Sequence, residues 1–168
     1  NAFYVRDQDH PYIQDDPFHW VRGYQVGGRS LTWGRQCYRL SDLDFEANAK
    51  DGHGTDWPIR YKDIEPWYDH VESFAGISGS LEHLPQLPDG KFLPAMEMNC
   101  VEKDVAAKIK DHYKGKRHMI IGRSANITVP HNGRTNCQYR NMCDMGCPFG
   151  GYFSTQSTTL PAAMATKN

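Results

Sequence analysis

The 168-residue chain carries 19 Lys and Arg against 20 Asp and Glu, a formal net charge of −1. Near-neutrality removes the sequence-independent pull toward phosphate backbones, so nucleic acid is a poor candidate partner. No apolar run approaches the roughly 20 residues of a membrane-spanning helix, so no transmembrane segment is expected.

Leu, Ile, Val and Phe contribute only 30 residues, but low net charge with four Trp and nine Tyr argues against disorder. The expectation is an ordered α+β chain of low regularity: two or three helices, a few short strands, and long loops punctuated by 15 Gly and 10 Pro. Residues 1–60 have little periodicity and are expected as ordered loops with short extended pieces, of the kind that carry function or lie against a larger body. The chain opens without Met and without a basic stretch followed by an apolar one, so it is expected to be a processed or excised segment.

The first regular helix is predicted to start near Asp63. Ile64, Trp67, Tyr68, Val71, Phe74 and Ala75 share one face at helical spacing. Asp63 is placed as its cap, Pro66 in the first turn, and Gly76 at the stop. Residues 77–98 hold three prolines and are expected to be extended. A second helix follows over Val101–Lys114. It is opened by an Asn99/Glu102 capping box, supported by an Asp104–Lys108 pair and closed by Gly115. Met119–Ile121 and Ile127–Val129 are predicted as short strands, with a turn at His131–Arg134. Ser154–Lys167 is expected as a terminal helix broken near Pro161.

Three elements could carry chemistry. The stretch Gly27-Gly28-Arg29-Ser30-Leu31-Thr32-Trp33-Gly34 offers glycines that let backbone approach a ligand. Arg22 and Arg29 could meet a pyrophosphate, and Trp33 could lie against a flat ring. The bland alternative is a common Gly-Gly turn with a packed Trp, and no G-x-G-x-x-G fingerprint occurs in the chain. The second element is Cys137-x5-Cys143-x3-Cys147 followed by Pro148. Close thiolates on a flexible loop suit an iron–sulfur cluster or a soft metal. A Cys3His zinc site with His131, a disulfide, and plain free thiols remain open beside it. The third is the eight histidines. None has HExxH spacing, no G-x-S-x-G occurs, and His19, His53 and His70 are expected at the surface or in packing. Asp42, Asp44 and Glu46 are expected as a solvated acidic turn rather than a catalytic pair.

Taken together, the ordered segments Val26-Gly27-Gly28-Arg29-Ser30-Leu31-Thr32-Trp33-Gly34, Arg39, Asp44-Phe45 and Asp56-Trp57-Pro58-Ile59-x-Tyr61-x-Asp63-Ile64-x-Pro66-Trp67-Tyr68-x3-Glu72 resemble the glucose–methanol–choline oxidoreductases. These are FAD enzymes that oxidise alcohols and sugars. The ending Ser154 through Ala163 resembles the stretch returning to their FAD domain. Within the family, the spacing of Cys137, Cys143 and Cys147 resembles the bacterial FAD-dependent sugar dehydrogenases with a three-iron cluster (3Fe-4S).

The resemblance implies the interior of a two-domain flavoenzyme: residues 1–60 as an FAD-contacting loop region, 61–134 as a substrate-side cap, and 135–168 as the cysteine loop and return toward the FAD domain. It implies FAD contacts from Gly27, Gly28, Arg29, Ser30, Leu31 and Trp33. Thr32 stands where several members carry a flavin-bonded His, so FAD is expected to be noncovalent. It further implies cluster ligation by Cys137, Cys143 and Cys147, an alcohol or sugar substrate, a cytochrome or small accessory subunit as electron partner, and a periplasmic setting. The family's strand–glycine loop–helix for the ADP half and its late catalytic His are not in this stretch. No catalytic residue is therefore carried over, and the stretch alone is expected to be inactive and to bind FAD weakly. The rival is a small metal-stabilised binding or electron-carrier module with a structural cysteine loop.

Overall fold

A computed structural model describes residues 3–167. Among them are five α-helices, α1 (Asp42–Phe45), α2 (Ala47–Asp51), α3 (Tyr61–Ala75), α4 (Cys100–His112) and α5 (Leu160–Ala165), with 3-10 turns at Gly28–Leu31 and Cys143–Met145 and a π-turn at Thr155–Thr159. Extended backbone among the described residues pairs only through isolated bridges. The architecture is α+β and loop-rich, as the composition implied.

Helix α3 begins two residues earlier than its periodicity suggested. Asp63 acts from inside the first turn, where its carboxylate accepts the Arg60 N–H at 2.8 Å. The early start moves Pro66 out of the first turn into the helix body, where it leaves the Lys62 carbonyl without its i+4 donor. Gly76 ends the helix at φ 75°, and an added Cβ there would lie 2.5 Å from Ile127 Cγ2. The expected apolar face is only partly covered: Trp67 and Val71 are 69% and 58% exposed. The buried positions are Ala75 and, unexpectedly, Glu72.

Helix α4 follows its sequence signals closely. Asn99 Oδ1 accepts the Glu102 N–H at 3.0 Å, Glu102 Oε2 accepts the Asn99 N–H at 2.8 Å, and Lys108 Nζ reaches Asp104 at 2.7 Å. The acidic stretch Asp42–Glu46 is structural: Asp44 caps α1 through Ser41, Asp42 accepts the Tyr61 N–H, and Glu46 pairs with Lys50. The two predicted strands do not form a ladder. Pairing falls between them, on the buried segment 123–127, where Ser124 bridges Gln36 and Ser78 and Asn126 bridges Tyr152. The turn at His131–Arg134 closes with reciprocal backbone bonds of 3.1 and 2.9 Å. The C-terminal helix breaks before Pro161, as a π-turn capped by Ser154.

Segment 123–127 is the axis of the molecule. On one side Cys37 N–H bonds Arg123 O and Ala125 N–H bonds Arg35 O; on the other Ile127 N–H bonds Gly151 O and Phe153 N–H bonds Ala125 O. Around it Ala75, Ile77 and Ala125 form a small core joined by Trp33, Cys37, Phe92 and Phe153. The largest fully buried side chain is a cation, Arg123. Phe45 is buried under an edge-on Trp57, while Trp20 is 47% exposed. The accessible surface is 11634 Å², against about 8400 Å² for a compact monomer of this mass. So much uncovered surface suits loops that lie on a larger body.

Candidate functional site

The glycine stretch and the cysteine loop meet at residues 151–157. Gly27 and Gly28 have φ of 91° and 49° and start the Gly28–Leu31 turn, which Ser30 tightens by donating from Oγ to Gly27 O. That same hydroxyl accepts the Thr155 N–H at 3.0 Å. A Cβ on Gly27 would press on Leu31 and Thr155 at 3.3 Å, whereas one on Gly28 would meet only Gly23 O at 3.9 Å. Gly28 thus presents bare backbone to open space.

Leu31 is buried in the fold at 5% exposure. Trp33 turns inward: its indole N–H donates to Phe153 O at 2.9 Å, and its ring packs edge-on to Tyr152 and Phe153. Tyr152 in turn donates its hydroxyl to Trp33 O at 2.8 Å. Arg29 is exposed, over the Tyr4 ring, while Arg22 is taken up by Asp7, Trp20 and the His10 carbonyl. Of the two arginines, Arg29 alone keeps its guanidinium at the surface.

Cys137, Cys143 and Cys147 line one narrow cavity of about 30 Å³ together with Asn126, Phe149 and Tyr152, and Asn126, Cys137 and Cys143 also border an open cleft of about 540 Å³. Two non-glycine residues of the intervening loop, Tyr139 and Asn141, take left-handed backbone at φ 53°. Such conformations cost of order 1–3 kcal/mol and persist where surroundings impose them. Here the bend directs the Tyr139 N–H to Cys137 Sγ at 3.5 Å. Asn126 Nδ2 lies 3.8 Å from both Cys137 Sγ and Cys143 Sγ. Burial pushes the Tyr152 hydroxyl up to about 12, with Cys143 and Asp144 adding to the effect, so it stays a proton donor.

None of the five cysteines is in a disulfide, and Cys37 and Cys100 lie outside this cavity. His131 is held elsewhere, its Nε2 at 2.7 Å from Ser73 O at the end of α3. Among the described residues no three Cys, His, Asp or Glu side chains converge as one ion's donor set. Zn–S bonds of 2.3 Å require sulfurs within roughly 4 Å of one another. His19, His53 and His70 are exposed. On the far side of Cys147 a cavity of about 520 Å³ is bounded by Leu31, Arg134, Ser154 and Gln156. Arg134 is buried without a carboxylate, donating to Ala75 O and Gly150 O, and burial lowers its affinity for its proton.

No family model matches the chain. It is 25% identical over 136 residues to the fructose dehydrogenase large subunit of Gluconobacter japonicus, covering 77% of this chain and 24% of that protein. It is 28% identical over 145 residues to 2-methyl-1,2-propanediol dehydrogenase of Mycolicibacterium austroafricanum, covering 83% and 26%. The similarity is to dehydrogenases. The chain spans about a quarter of the length of these curated relatives. No helix of the described residues is long and apolar enough to cross a membrane.

Sequence reasoning missed Asn126, Tyr152 and Arg134. The glycine and cysteine motifs could be found by spacing, but these three come from other segments and are defined only by the contacts that folding creates.

Proposed function

We propose that this chain is part of an FAD-dependent dehydrogenase that oxidises a CH–OH group of an alcohol or sugar and passes the electrons on through an iron–sulfur cluster. The observation carrying the reading is the common anchor of the two motifs. The glycine turn and the cysteine cavity are fastened to the two ends of one short segment, through Ser30 to Thr155 and through Asn126 to Tyr152. The likeness to two dehydrogenases, one of them named for a sugar, supports the same reading.

Gly27, Gly28, Arg29 and Ser30 would hold the coenzyme edge, with Leu31 and Trp33 fixing the turn from behind. FAD, when bound, supplies the two-electron acceptor for the substrate's hydride. The open backbone at Gly28 fits close approach by a flat group. Cys137, Cys143 and Cys147 would hold the cluster. An iron–sulfur group supplies a one-electron carrier and spreads its thiolates over several irons, which fits sulfurs that share a cavity without converging on one point. Asn126 directs its amide nitrogen at Cys137 and Cys143, while the buried Tyr152 walls the cavity with its hydroxyl spent on Trp33 O. A partner subunit accepting the electrons belongs to the same proposal, in keeping with a relative that is itself named a large subunit.

The test is the cofactor content of the full-length natural protein, purified without oxygen. Flavin released on denaturation, iron with acid-labile sulfide, and broad visible absorption are expected. Replacing Cys137, Cys143 or Cys147 by Ser should remove iron, whereas Cys100→Ser should not. A colourless protein with one equivalent of zinc would point instead to a metal-stabilised module.

A further inference from the structure

Asn126 is 3% exposed, and its main chain is fixed by the bridge to Tyr152. Ser124 Oγ donates to Asn126 Oδ1 at 3.4 Å, which sets the amide's orientation and turns the nitrogen toward the cysteines. A primary amide has two N–H donors, and here the acceptors in reach are two sulfurs, Cys137 Sγ and Cys143 Sγ. Leaving a buried donor poorly satisfied costs about 1–3 kcal/mol. A neutral thiol is a weak acceptor, while a thiolate accepts a charge-assisted bond of roughly twice the strength. The amide is thus aimed at the pair by geometry: its oxygen is held by Ser124 and its nitrogen lies 3.8 Å from each sulfur.

We infer that Asn126 is a positioning residue that hydrogen-bonds two ligand sulfurs at once and so sets the reduction potential of the group they hold. This rests on the cluster reading above. Donation to a ligand sulfur withdraws electron density and stabilises the more negative, reduced state, so it raises the potential. Two bonds from one rigid amide also lock the spacing of Cys137 and Cys143 across a loop that has no regular structure of its own.

The experiment compares the full-length wild-type protein with Asn126→Leu and Asn126→Asp, all purified anaerobically. Iron per chain is measured together with the midpoint potential from a titration followed by electron paramagnetic resonance. Both variants are expected to keep iron, because the sulfurs rather than the amide would bind it. The potential should fall in the order wild type, Leu, Asp, since Leu removes the donors and Asp adds negative charge as well. Iron retained with an unmoved or raised potential overturns the proposal. So does loss of iron from both variants at unchanged far-ultraviolet circular dichroism. Should the Leu variant fail to fold, the isosteric Asp variant alone decides the matter: a lowered potential supports the proposal, and an unmoved or raised one overturns it. A wild-type protein without iron would overturn the cluster reading and this proposal together; an iron-bearing wild type with an insensitive potential removes only the latter.

Discussion

Arg39 and Glu72 meet fork to fork across 33 positions of sequence. Arg39 Nε donates to Glu72 Oε1 at 2.9 Å and Nη2 to Oε2 at 2.5 Å, with side chains only 1% and 8% exposed. Arg39 also reaches Tyr61 at 2.7 Å and Asp69 at 2.6 Å. Burial works against the guanidinium charge, but the bonds to Glu72, Asp69 and Tyr61 outweigh it and hold the proton more firmly than usual. The network clamps the loop after the glycine turn onto α3.

Removing one partner of such a pair strands a buried charge, at about 3–5 kcal/mol. Glu72→Gln should lower the unfolding free energy by less than that in urea titrations, because Asp69 stays 2.6 Å from Arg39 and keeps the guanidinium paired. Arg39→Lys should cost nearly as much, because an ammonium cannot make the double fork. The double change to Met at both positions should cost less than either single one. A Lys variant within about 1 kcal/mol of wild type would show that the fork carries little.

That network marks the boundary of what the sequence made legible. Local signals were sufficient for α4, where Asn99, Glu102 and Asp104–Lys108 act within one or two turns. They were enough too for the Gly76 stop and the His131–Arg134 turn. The face of α3 was misjudged because Trp67 and Val71 satisfy helical periodicity whether or not anything covers them, while the pairing of Glu72 with a distant Arg39 has no periodic trace. The strands were displaced for a similar reason: Ser124 and Asn126 pair through backbone in a segment whose polar side chains look unlike a buried strand. Likewise the cysteine spacing was visible, but not the amide of Asn126 between two of its sulfurs.

Asp89 should make stability fall in acid. Burial alone would raise its carboxyl, yet the N–H groups of Glu82 and His83, with His83 and Arg123 nearby, outweigh that and hold it below the ordinary carboxylate range. A carboxyl depressed on folding contributes stability above its unfolded value, about 3.9, and loses that contribution as pH falls through the folded value. Urea midpoints measured from pH 7 down to 2 should therefore decline most steeply below about pH 4. Asp89→Asn should flatten that decline while lowering stability at neutral pH, because Arg123, 1% exposed, loses its carboxylate. An unchanged acid limb in that variant would place the titration elsewhere.

Cys37 and Cys100 should differ sharply toward alkylation. Burial beside the core, with Glu72 nearby, pushes the Cys37 thiol up to about 11, whereas Cys100 is exposed at the start of α4. At pH 8 roughly one Cys37 in a thousand is thiolate, the reactive form. Iodoacetamide at that pH, followed by peptide mass spectrometry, should label Cys100 and leave Cys37 unmodified in the native protein. Equal labelling rates would contradict the packing of Cys37 against Ala75 and Ile77.

Gly28 offers a way to separate coenzyme binding from folding. Its φ of 49° lies where an L-residue costs about 1–2 kcal/mol, and the new methyl would have no neighbour nearer than 3.9 Å. Gly28→Ala should therefore fold, with only a small loss in urea midpoint. A flavin pressed onto that bare backbone would feel the methyl directly. At least a tenfold rise in the FAD dissociation constant, about 1.4 kcal/mol, is expected for the full-length protein, together with lower flavin per chain. Gly27→Ala is the contrasting case, because its methyl presses on Leu31 and Thr155 and its cost falls on the fold itself. Undiminished flavin content in a stable Gly28→Ala protein would move the coenzyme off this turn, while the cysteine cavity would stand on its own observations.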